Sequence, residues 1–181
     1  EILQIKLLDK KGGKSDFKDR FRKDITAAVI VCSDTISGGQ KEDRAGKAII
    51  KKLKECDVII SDYIVIPDET DDIQKKAHYY QKQAVDLIIY TGGTGLSKRD
   101  VTPEALMPLL NRRIPGIEEA IRAYGQNRTP YSMLSRSIAG TIGNSLVIAL
   151  PGSTNGAKES MDALFPAILH IFRILKGAQH D

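Results

Sequence analysis

The chain contains a glycine-rich loop whose residue types suit anion binding. Directly after the apolar run 86–91 (DLIIYT), it reads Gly92-Gly93-Thr94-Gly95. Glycines let main-chain N–H groups approach an anion closely, and ligands of open α/β sheets bind beyond the carboxyl ends of the strands. This glycine loop (92–95) is therefore a candidate phosphate cradle, although a tight turn that needs positive φ angles would use the same glycines.

Two aspartates stand where they could hold a magnesium ion against phosphates. Asp100 lies between the glycine loop and a helix start at Thr102-Pro103, and Asp68 follows the apolar run 58–66. Carboxylates bind Mg²⁺ that bridges phosphates, and the neighbouring Arg99 could neutralise transferred charge. Taken singly, Asp68 suits a turn and Asp100 a helix cap. Two carboxylates at one rim are what a metal-assisted phosphoryl or nucleotidyl transfer needs.

Two further polar loops follow apolar runs of strand length. Ser33-Asp34 comes at the end of the run 27–33, and Pro151-Gly152-Ser153 comes after the run 146–150 (LVIAL). A helix that opens after Ser153 would direct another N-terminus towards an anion. We therefore expect four loops to meet at the carboxyl edge of one sheet, although each is also an ordinary strand-to-helix turn.

The sequence does not support other candidate motifs. The GGKS segment at 12–15 resembles the end of a P-loop, but Leu8 stands where that motif needs glycine, and a charged segment replaces the helix that should follow. The three histidines are scattered, so a histidine zinc site or a catalytic triad has little support. Cys32 and Cys56 predict free thiols in a reducing compartment rather than a disulfide.

Apolar runs of strand length alternate with amphipathic helical patterns from about Ile25 onwards. The runs lack two-fold alternation, which is typical of parallel strands covered on both faces. Apolar segments on either side of 141–145 predict a β-hairpin, and Pro166 predicts a break between two C-terminal helices. The other predicted strands are 27–33, 58–66 and 86–91, and the other predicted helices are 43–55, about 70–83, one from 102, and 116–125. This order predicts an α/β protein, a three-layer α/β/α fold with a mostly parallel sheet plus a small β-hairpin.

The composition is that of one globular domain. The chain has 181 residues, of which 41% are hydrophobic and 28% charged, which excludes collagen-like and wholly disordered chains. The net charge is +4, but residues 1–24 hold eight basic and five acidic residues. Residues 25–181 therefore hold 19 basic and 18 acidic residues, a net charge of +1. Without a one-sided basic field or any Trp, we expect no nucleic-acid binding. No apolar run reaches the length of a membrane span and no signal-peptide pattern opens the sequence, so we expect a cytoplasmic protein without membrane association.

Taken in order, the motifs resemble those of the molybdopterin adenylyltransferase family, which includes MogA, MoaB and the G domain of gephyrin. The segments that carry the resemblance are SDT at 33–35, IPDE at 66–69, TGGTG at 91–95, RDVTPEAL at 99–106, LSR at 134–136 and LPGS at 150–153. The similarity spans residues 25 to about 176. The related competence-damage family reads more like GGLGPT followed by DD, whereas this chain has GGTG followed by RD.

This resemblance implies transfer of AMP from magnesium ATP to the terminal phosphate of molybdopterin, with release of pyrophosphate. By their positions in the motifs, Asp68 and Asp100 would be catalytic and would hold the magnesium ion. The residues that would bind the nucleotide or the pterin are Gly92, Gly93, Thr94, Gly95, Ser33, Asp34, Ser135, Arg136, Pro151, Gly152 and Ser153. A non-catalytic molybdopterin-binding or scaffold module of the same fold stays open as an alternative.

The resemblance also implies a homo-oligomer and a downstream partner. A molybdotransferase would receive the product, and the assembly would be a homotrimer or a hexamer. Relatives of the gephyrin and MogA type often read NLPG, whereas this chain has Ala149 before LPG, as in MoaB-like members. The subgroup and the size of the oligomer therefore stay open.

Residues 1–24 read as a charged, glycine-containing tail or linker with a resemblance of its own. The segment LQIKLLDKKGGKSDF at 3–17 is similar to the C-terminal end of the cyclic pyranopterin monophosphate synthase, MoaC. The chain begins at Glu1 rather than Met, so we expect a fragment or a processed product. The resemblance of its tail implies that the full gene product fuses an upstream pterin synthase to the domain at 25–181. The intact mass of the native protein tests this expectation, and a native chain that starts near Glu1 would contradict it.

Overall fold

The computed structural model describes residues 25–175, and its centre is a six-stranded sheet. The strands are β1 Thr26–Cys32, β2 Ile59–Ile66, β3 Leu87–Thr91, β4 Arg112–Arg113, β5 Ile138–Ile142 and β6 Ser145–Leu150. Their order in the sheet is β2-β1-β3-β6-β5-β4. The first four strands of this order are parallel, whereas β5 is antiparallel to both β6 and β4.

Helices cover both faces of the sheet. They are α1 Asp34–Ser37, α2 Ala45–Glu55, α3 Thr70–Lys82, α4 Thr102–Leu106, α5 Pro115–Gln126, α6 Thr154–Leu164 and α7 Ile171–Leu175, with 3-10 turns at Met107–Leu109, Pro130–Leu134 and Ala167–His170. Buried residues of α2, α5, α6 and α7 pack against one face of the sheet, and those of α3 and α4 pack against the other. The predicted three-layer α/β/α architecture is therefore confirmed.

The continuous apolar runs arise because both faces of the central strands are buried. In β1, Ala27 and Val29 belong to the core beneath α2 and α6, whereas Ala28 and Ile30 belong to the core beneath α3 and α4. Every residue of β3 is buried, and so is every residue of β6. A side chain that faced water on either side would produce alternation, and the sequence shows none.

The antiparallel part of the sheet matches the sequence prediction only in part. The hairpin of β5 and β6 is confirmed, and it extends the parallel sheet rather than standing apart. Strand β4 was not predicted, because its two residues are both exposed arginines and carry no apolar pattern. Pro166 separates α6 from the following turn and helix, as predicted.

The register of the parallel strands aligns the loops that follow them. Cys32 pairs with Ile66, Val31 pairs with Thr91, and Thr91 pairs with Leu150. The four parallel strands therefore end within a residue of one another at the same edge, where the four polar loops begin. Within residues 25–175, no helix is long and apolar enough to cross a membrane. The predicted tail at 1–24 lies outside the described residues.

Candidate functional site

The four loops at the carboxyl edge are joined by hydrogen bonds. The Ser33 amide donates to the Ile66 carbonyl over 3.0 Å, which ties the loop after β1 to the loop after β2. The Gly92 amide donates to the Leu150 carbonyl over 3.2 Å, and the Thr91 hydroxyl donates to the Pro151 carbonyl over 2.8 Å. The expected convergence of four loops at one rim is thus found in the structure.

The glycine loop adopts a conformation that excludes side chains at its first two positions. Gly92 has a φ of +103° and Gly93 a φ of +62°, both in the region that favours glycine. A Cβ on Gly92 would lie 2.1 Å from the Cys32 carbonyl oxygen, and a Cβ on Gly93 would lie 2.3 Å from Thr102 Oγ1. The tight-turn interpretation therefore accounts for these two glycines. Gly93 also lines the cavity described below, whereas the Gly92 amide is bonded to the Leu150 carbonyl.

Asp68 and Asp34 hold each other across two loops. The Asp34 amide donates to Asp68 Oδ2, and the Asp68 amide donates to Asp34 Oδ1, each over 3.1 Å. Burial raises the pKa of Asp68 above its ordinary value, and the nearby charges of Asp34 and Asp100 act in the same direction. Asp68 therefore lies in an environment that disfavours its charged form, and Asp100 contributes to it.

Asp100 lies on the opposite side of the same loop cluster. Its Oδ2 accepts a hydrogen bond of 2.8 Å from the Ser97 amide, and it also lies beside Gly95. Partial burial opposes ionisation, but hydrogen bonds from Ser97 and Gly95 and the charge of Arg136 outweigh it and lower the pKa of Asp100. This carboxylate is ionised at neutral pH and can bind a cation.

Arg99 forms ion pairs with two carboxylates at the surface, Asp34 and Glu69. Its Nε and Nη2 donate to the two oxygens of Asp34 over 3.0 and 3.1 Å, and Nη2 also donates to Glu69 over 2.8 Å. The hydrogen bonds from Arg99 hold the pKa of Asp34 below its ordinary value. The guanidinium thus ties the loop after the glycines to the loops that follow β1 and β2.

Arg136 holds the glycine loop through hydrogen bonds to its carbonyl groups. Its amide donates to the Thr94 carbonyl over 3.2 Å, and its Nε donates to the Gly95 carbonyl over 2.7 Å. Nη2 donates to the Asp100 carbonyl over 2.7 Å, and Nη1 pairs with Glu104 at the start of α4. In this structure each nitrogen of this guanidinium has a partner in the glycine loop, at Asp100 or in α4, so Arg136 holds these elements together.

A cavity of about 740 Å³ opens beside the glycine loop. Eight of the predicted site residues line it: Gly93, Thr94, Gly95, Asp100, Ser135, Pro151, Gly152 and Ser153. The other five do not line it. Gly92 and Arg136 contact the lining residues Gly152 and Gly95, and Ser33, Asp34 and Asp68 belong to the loops after β1 and β2. Such a volume lies in the usual range for pockets that enclose a small-molecule ligand.

The N-terminus of α6 opens into this cavity. Ser153 caps the helix, its Oγ accepting a hydrogen bond of 3.1 Å from the Gly156 amide. Asn155 and Gly156 of the first turn also line the cavity. Free amides and the helix dipole favour an anion at this position, and the sequence prediction of such an N-terminus is consistent with this geometry.

The segment between α5 and β5 supplies cavity residues that the sequence reasoning missed. Arg128 packs over the ring of Tyr124 at 3.9 Å, and its Nε lies 3.8 Å from Glu159 Oε1. Arg128, Thr129, Tyr131, Ser132 and Glu159 line the cavity opposite the glycine loop. The sequence of this segment offers only a mixture of Arg, Thr and Tyr around a proline as a sign of ligand binding. That mixture does not predict that the segment packs beside the glycine loop.

The site fits a magnesium ion shared with phosphate groups better than a cage built from protein alone. Among the described residues 25–175, no group of three or more His, Cys, Asp or Glu side chains could hold a metal ion. Mg²⁺ commonly uses only one or two carboxylates and completes its shell with water and substrate phosphates. Asp68 beside Gly93 and Asp100 beside Gly95 provide that number of carboxylates.

Comparison with known proteins assigns the chain to a family. Residues 28–170 match the family MoCF_biosynth, which is described as "Probable molybdopterin binding domain". The chain is 37% identical over 180 residues to a molybdenum cofactor biosynthesis bifunctional protein of Chlorobaculum tepidum. That match covers 99% of this chain but only 57% of the relative, so the chain spans little more than half the relative's length.

Two other relatives match over nearly their whole length. Molybdenum cofactor biosynthesis protein B of Staphylococcus aureus is 35% identical over 161 residues, which cover 86% of this chain and 95% of that protein. The crystal structure of the molybdopterin biosynthesis enzyme MoaB from Thermus thermophilus superposes with a TM-score of 0.80 at 35% identity, over 87% of this chain and 99% of that chain. The chain therefore belongs to the MoCF_biosynth family of molybdenum cofactor biosynthesis proteins, together with MoaB, MogA and gephyrin.

Proposed function

We propose that this protein transfers AMP from ATP to molybdopterin. In this reaction an oxygen of the terminal phosphate of molybdopterin attacks the α-phosphorus of ATP, and the bond between the α-phosphorus and the bridging oxygen breaks. The products are adenylyl-molybdopterin and pyrophosphate. The observation that carries the proposal is that Asp100 lines a cavity of about 740 Å³ next to Gly95, while Asp68 lies next to Gly93 of the same glycine loop.

The residues at this edge of the sheet would have three different roles, which follow from their chemistry. The main chain of Gly93–Gly95 and the first turn of α6 would receive the phosphate oxygens, because both line the cavity with main-chain N–H groups. Gly92, whose amide is bonded to the Leu150 carbonyl, would shape the loop beside the ligand. Asp68 and Asp100 would hold Mg²⁺, which when bound neutralises the charge on the phosphates. Arg136 and Arg99 would keep the loops in place through the contacts described above.

The cavity opposite the loop would receive the pterin or the adenine. Its wall combines apolar and polar side chains, including Ile121, Tyr131 and Ser132. Ligand pockets usually mix a mostly apolar lining with a few polar groups that fix orientation. The family description names molybdopterin as the probable ligand, and the Thermus relative is named a molybdopterin biosynthesis enzyme, which supports the proposal.

We also propose that the protein acts as a homotrimer or hexamer in the cytoplasm and passes its product to a molybdotransferase. Large apolar side chains are exposed around the cavity mouth and on the neighbouring helix turns, which supports contacts between subunits. They are Leu96, Met107, Tyr131, Met133 and Leu134. The fusion to an upstream pterin synthase stays a prediction, supported by the bifunctional relative whose match includes nearly all of this chain.

A pyrophosphate-release assay tests the proposed reaction. With ATP, magnesium and molybdopterin, the protein should release one pyrophosphate for each molybdopterin adenylylated, and removal of magnesium with EDTA should stop the release. Omission of molybdopterin is the control, because hydrolysis of ATP alone would release phosphate or pyrophosphate without an adenylylated pterin. Tight binding of molybdopterin without any pyrophosphate would contradict the proposal and favour the binding or scaffold module.

A further inference from the structure

Two buried polar atoms among the described residues lack a hydrogen-bond partner, and they face each other beneath the glycine loop. They are Asp68 Oδ1 and Thr102 Oγ1. Buried polar atoms are almost always paired with protein or with ordered water, since an unpaired one loses its hydration without compensation. Two such atoms at one place therefore point to an interaction between them.

Gly93 fixes how close the two oxygens are. A Cβ built on Gly93 would lie 2.3 Å from Thr102 Oγ1 and 3.0 Å from Asp68 Oδ1. The two oxygens are consequently no further apart than the sum of these distances. A gap of that size is closed either by a small rotation of the threonine side chain about χ1 or by one water molecule with two hydrogen bonds of about 2.8 Å each.

The chemistry of the two groups is complementary. Asp68 Oδ1 is a carboxylate oxygen and accepts hydrogen bonds, whereas the threonine hydroxyl can donate one. The hydroxyl faces the Cys32 thiol as well, but it has no well-directed hydrogen bond with it. Thr102 is completely buried and its amide donates to the Gly93 carbonyl over 3.0 Å, so its side chain has little freedom to turn elsewhere.

We infer that Thr102 is a positioning residue for Asp68: its hydroxyl supplies, through at most one water molecule, the hydrogen bond that holds Asp68 Oδ1. The other oxygen, Oδ2, is held by the Asp34 amide at the exposed side of the rim. With both oxygens fixed, the plane of the carboxylate is set before any ligand binds. The expected effect of Thr102 on the rate of AMP transfer rests on the proposed function. The hydrogen bond between Thr102 and Asp68 does not, because it forms in the protein without ligand.

The kinetic test compares Thr102→Val with Thr102→Ser. Valine keeps the shape and burial of the side chain but removes the hydroxyl, so AMP transfer should fall on the order of tenfold in kcat, with the KM values for ATP and molybdopterin within about twofold of wild type. Serine keeps the hydroxyl and should recover most of the lost kcat. Thr141→Val is the matched control, a buried threonine in β5, and should leave both constants unchanged.

A crystal structure of the unliganded protein at high resolution separates failure of this inference from failure of the proposed function. The wild-type protein should show the Thr102 hydroxyl bonded to Asp68 Oδ1 directly or through one ordered water, and the valine variant should show a turned Asp68 carboxylate. Density that pairs Asp68 Oδ1 with any other group would overturn the inference, whether or not AMP transfer occurs. Equal kcat values for the valine variant and wild type would also overturn it, and so would a failure of serine to restore kcat.

Discussion

Asp68→Asn or Asp100→Asn is expected to reduce AMP transfer by at least about 1000-fold, which is roughly 4 kcal/mol of transition-state stabilisation. Asparagine has the shape of aspartate but lacks the charge that would hold Mg²⁺ beside the phosphates. Pyrophosphate release at saturating ATP and molybdopterin measures the effect. Binding of molybdopterin should be largely retained, because the cavity wall opposite the glycine loop is untouched by either change.

Both variants should stay folded, for reasons visible in their contacts. Burial and the charges of Asp34 and Asp100 already disfavour a charged Asp68, so a neutral amide there relieves repulsion. At position 100, the amide oxygen can still accept the hydrogen bond from Ser97. The matched control is Asp57→Asn, an exposed position with φ of +56° in the turn before β2, at the opposite edge of the sheet. Wild-type rates in both site variants would show that the assigned roles are wrong.

Gly92→Ala is expected to destabilise the protein by at least about 3 kcal/mol. Two effects add at this position. The φ of +103° is unfavourable for any residue with a Cβ, and the new Cβ would lie 2.1 Å from the carbonyl oxygen of Cys32 at the end of β1. Since that oxygen belongs to the main chain of a buried strand, it cannot move aside cheaply. Denaturation by urea, followed by circular dichroism, measures the loss.

Gly39→Ala isolates the first of these effects. Gly39 has a φ of +73°, yet a Cβ there would meet no atom within 4 Å. Its cost should therefore be only the conformational penalty, about 1–2 kcal/mol. Gly116→Ala, in α5 with open space around the position, should be neutral or slightly stabilising. If the Gly92 and Gly39 variants lost the same free energy of unfolding, the close approach of the new Cβ to the Cys32 carbonyl oxygen would not contribute to the destabilisation.

The layered architecture could be predicted because its causes are local. The buried runs that become β1, β3 and β6 have no polar face, and the helical patterns between them are amphipathic. Strand β4 could not be predicted, since Arg112 and Arg113 join the sheet only because β5 offers them a partner edge. An exposed pair of arginines has no periodicity of its own to detect.

The sequence predicted which loops meet at the candidate site, but it did not predict the contacts that each side chain makes there. Sequence reasoning placed Arg136 among the ligand-binding residues, yet its guanidinium is directed at Gly95, Asp100 and Glu104. It also passed over Arg128, which lines the cavity. These hydrogen bonds join positions 32 to 41 residues apart and depend on loop conformation, and loop conformation leaves no regular pattern in a sequence.

The sequence by itself determined the alternation of strands and helices, the glycine loop, the two aspartates and the family resemblance, because each depends on residue types at short spacing. Only the tertiary structure decided that Asp34 and Asp68 hold each other, that Arg136 braces the loop, and that Thr102 faces Asp68 beneath Gly93. Those relations are distances between atoms far apart along the chain. They exist only once the parallel strands align their carboxyl ends and bring the four loops to one edge.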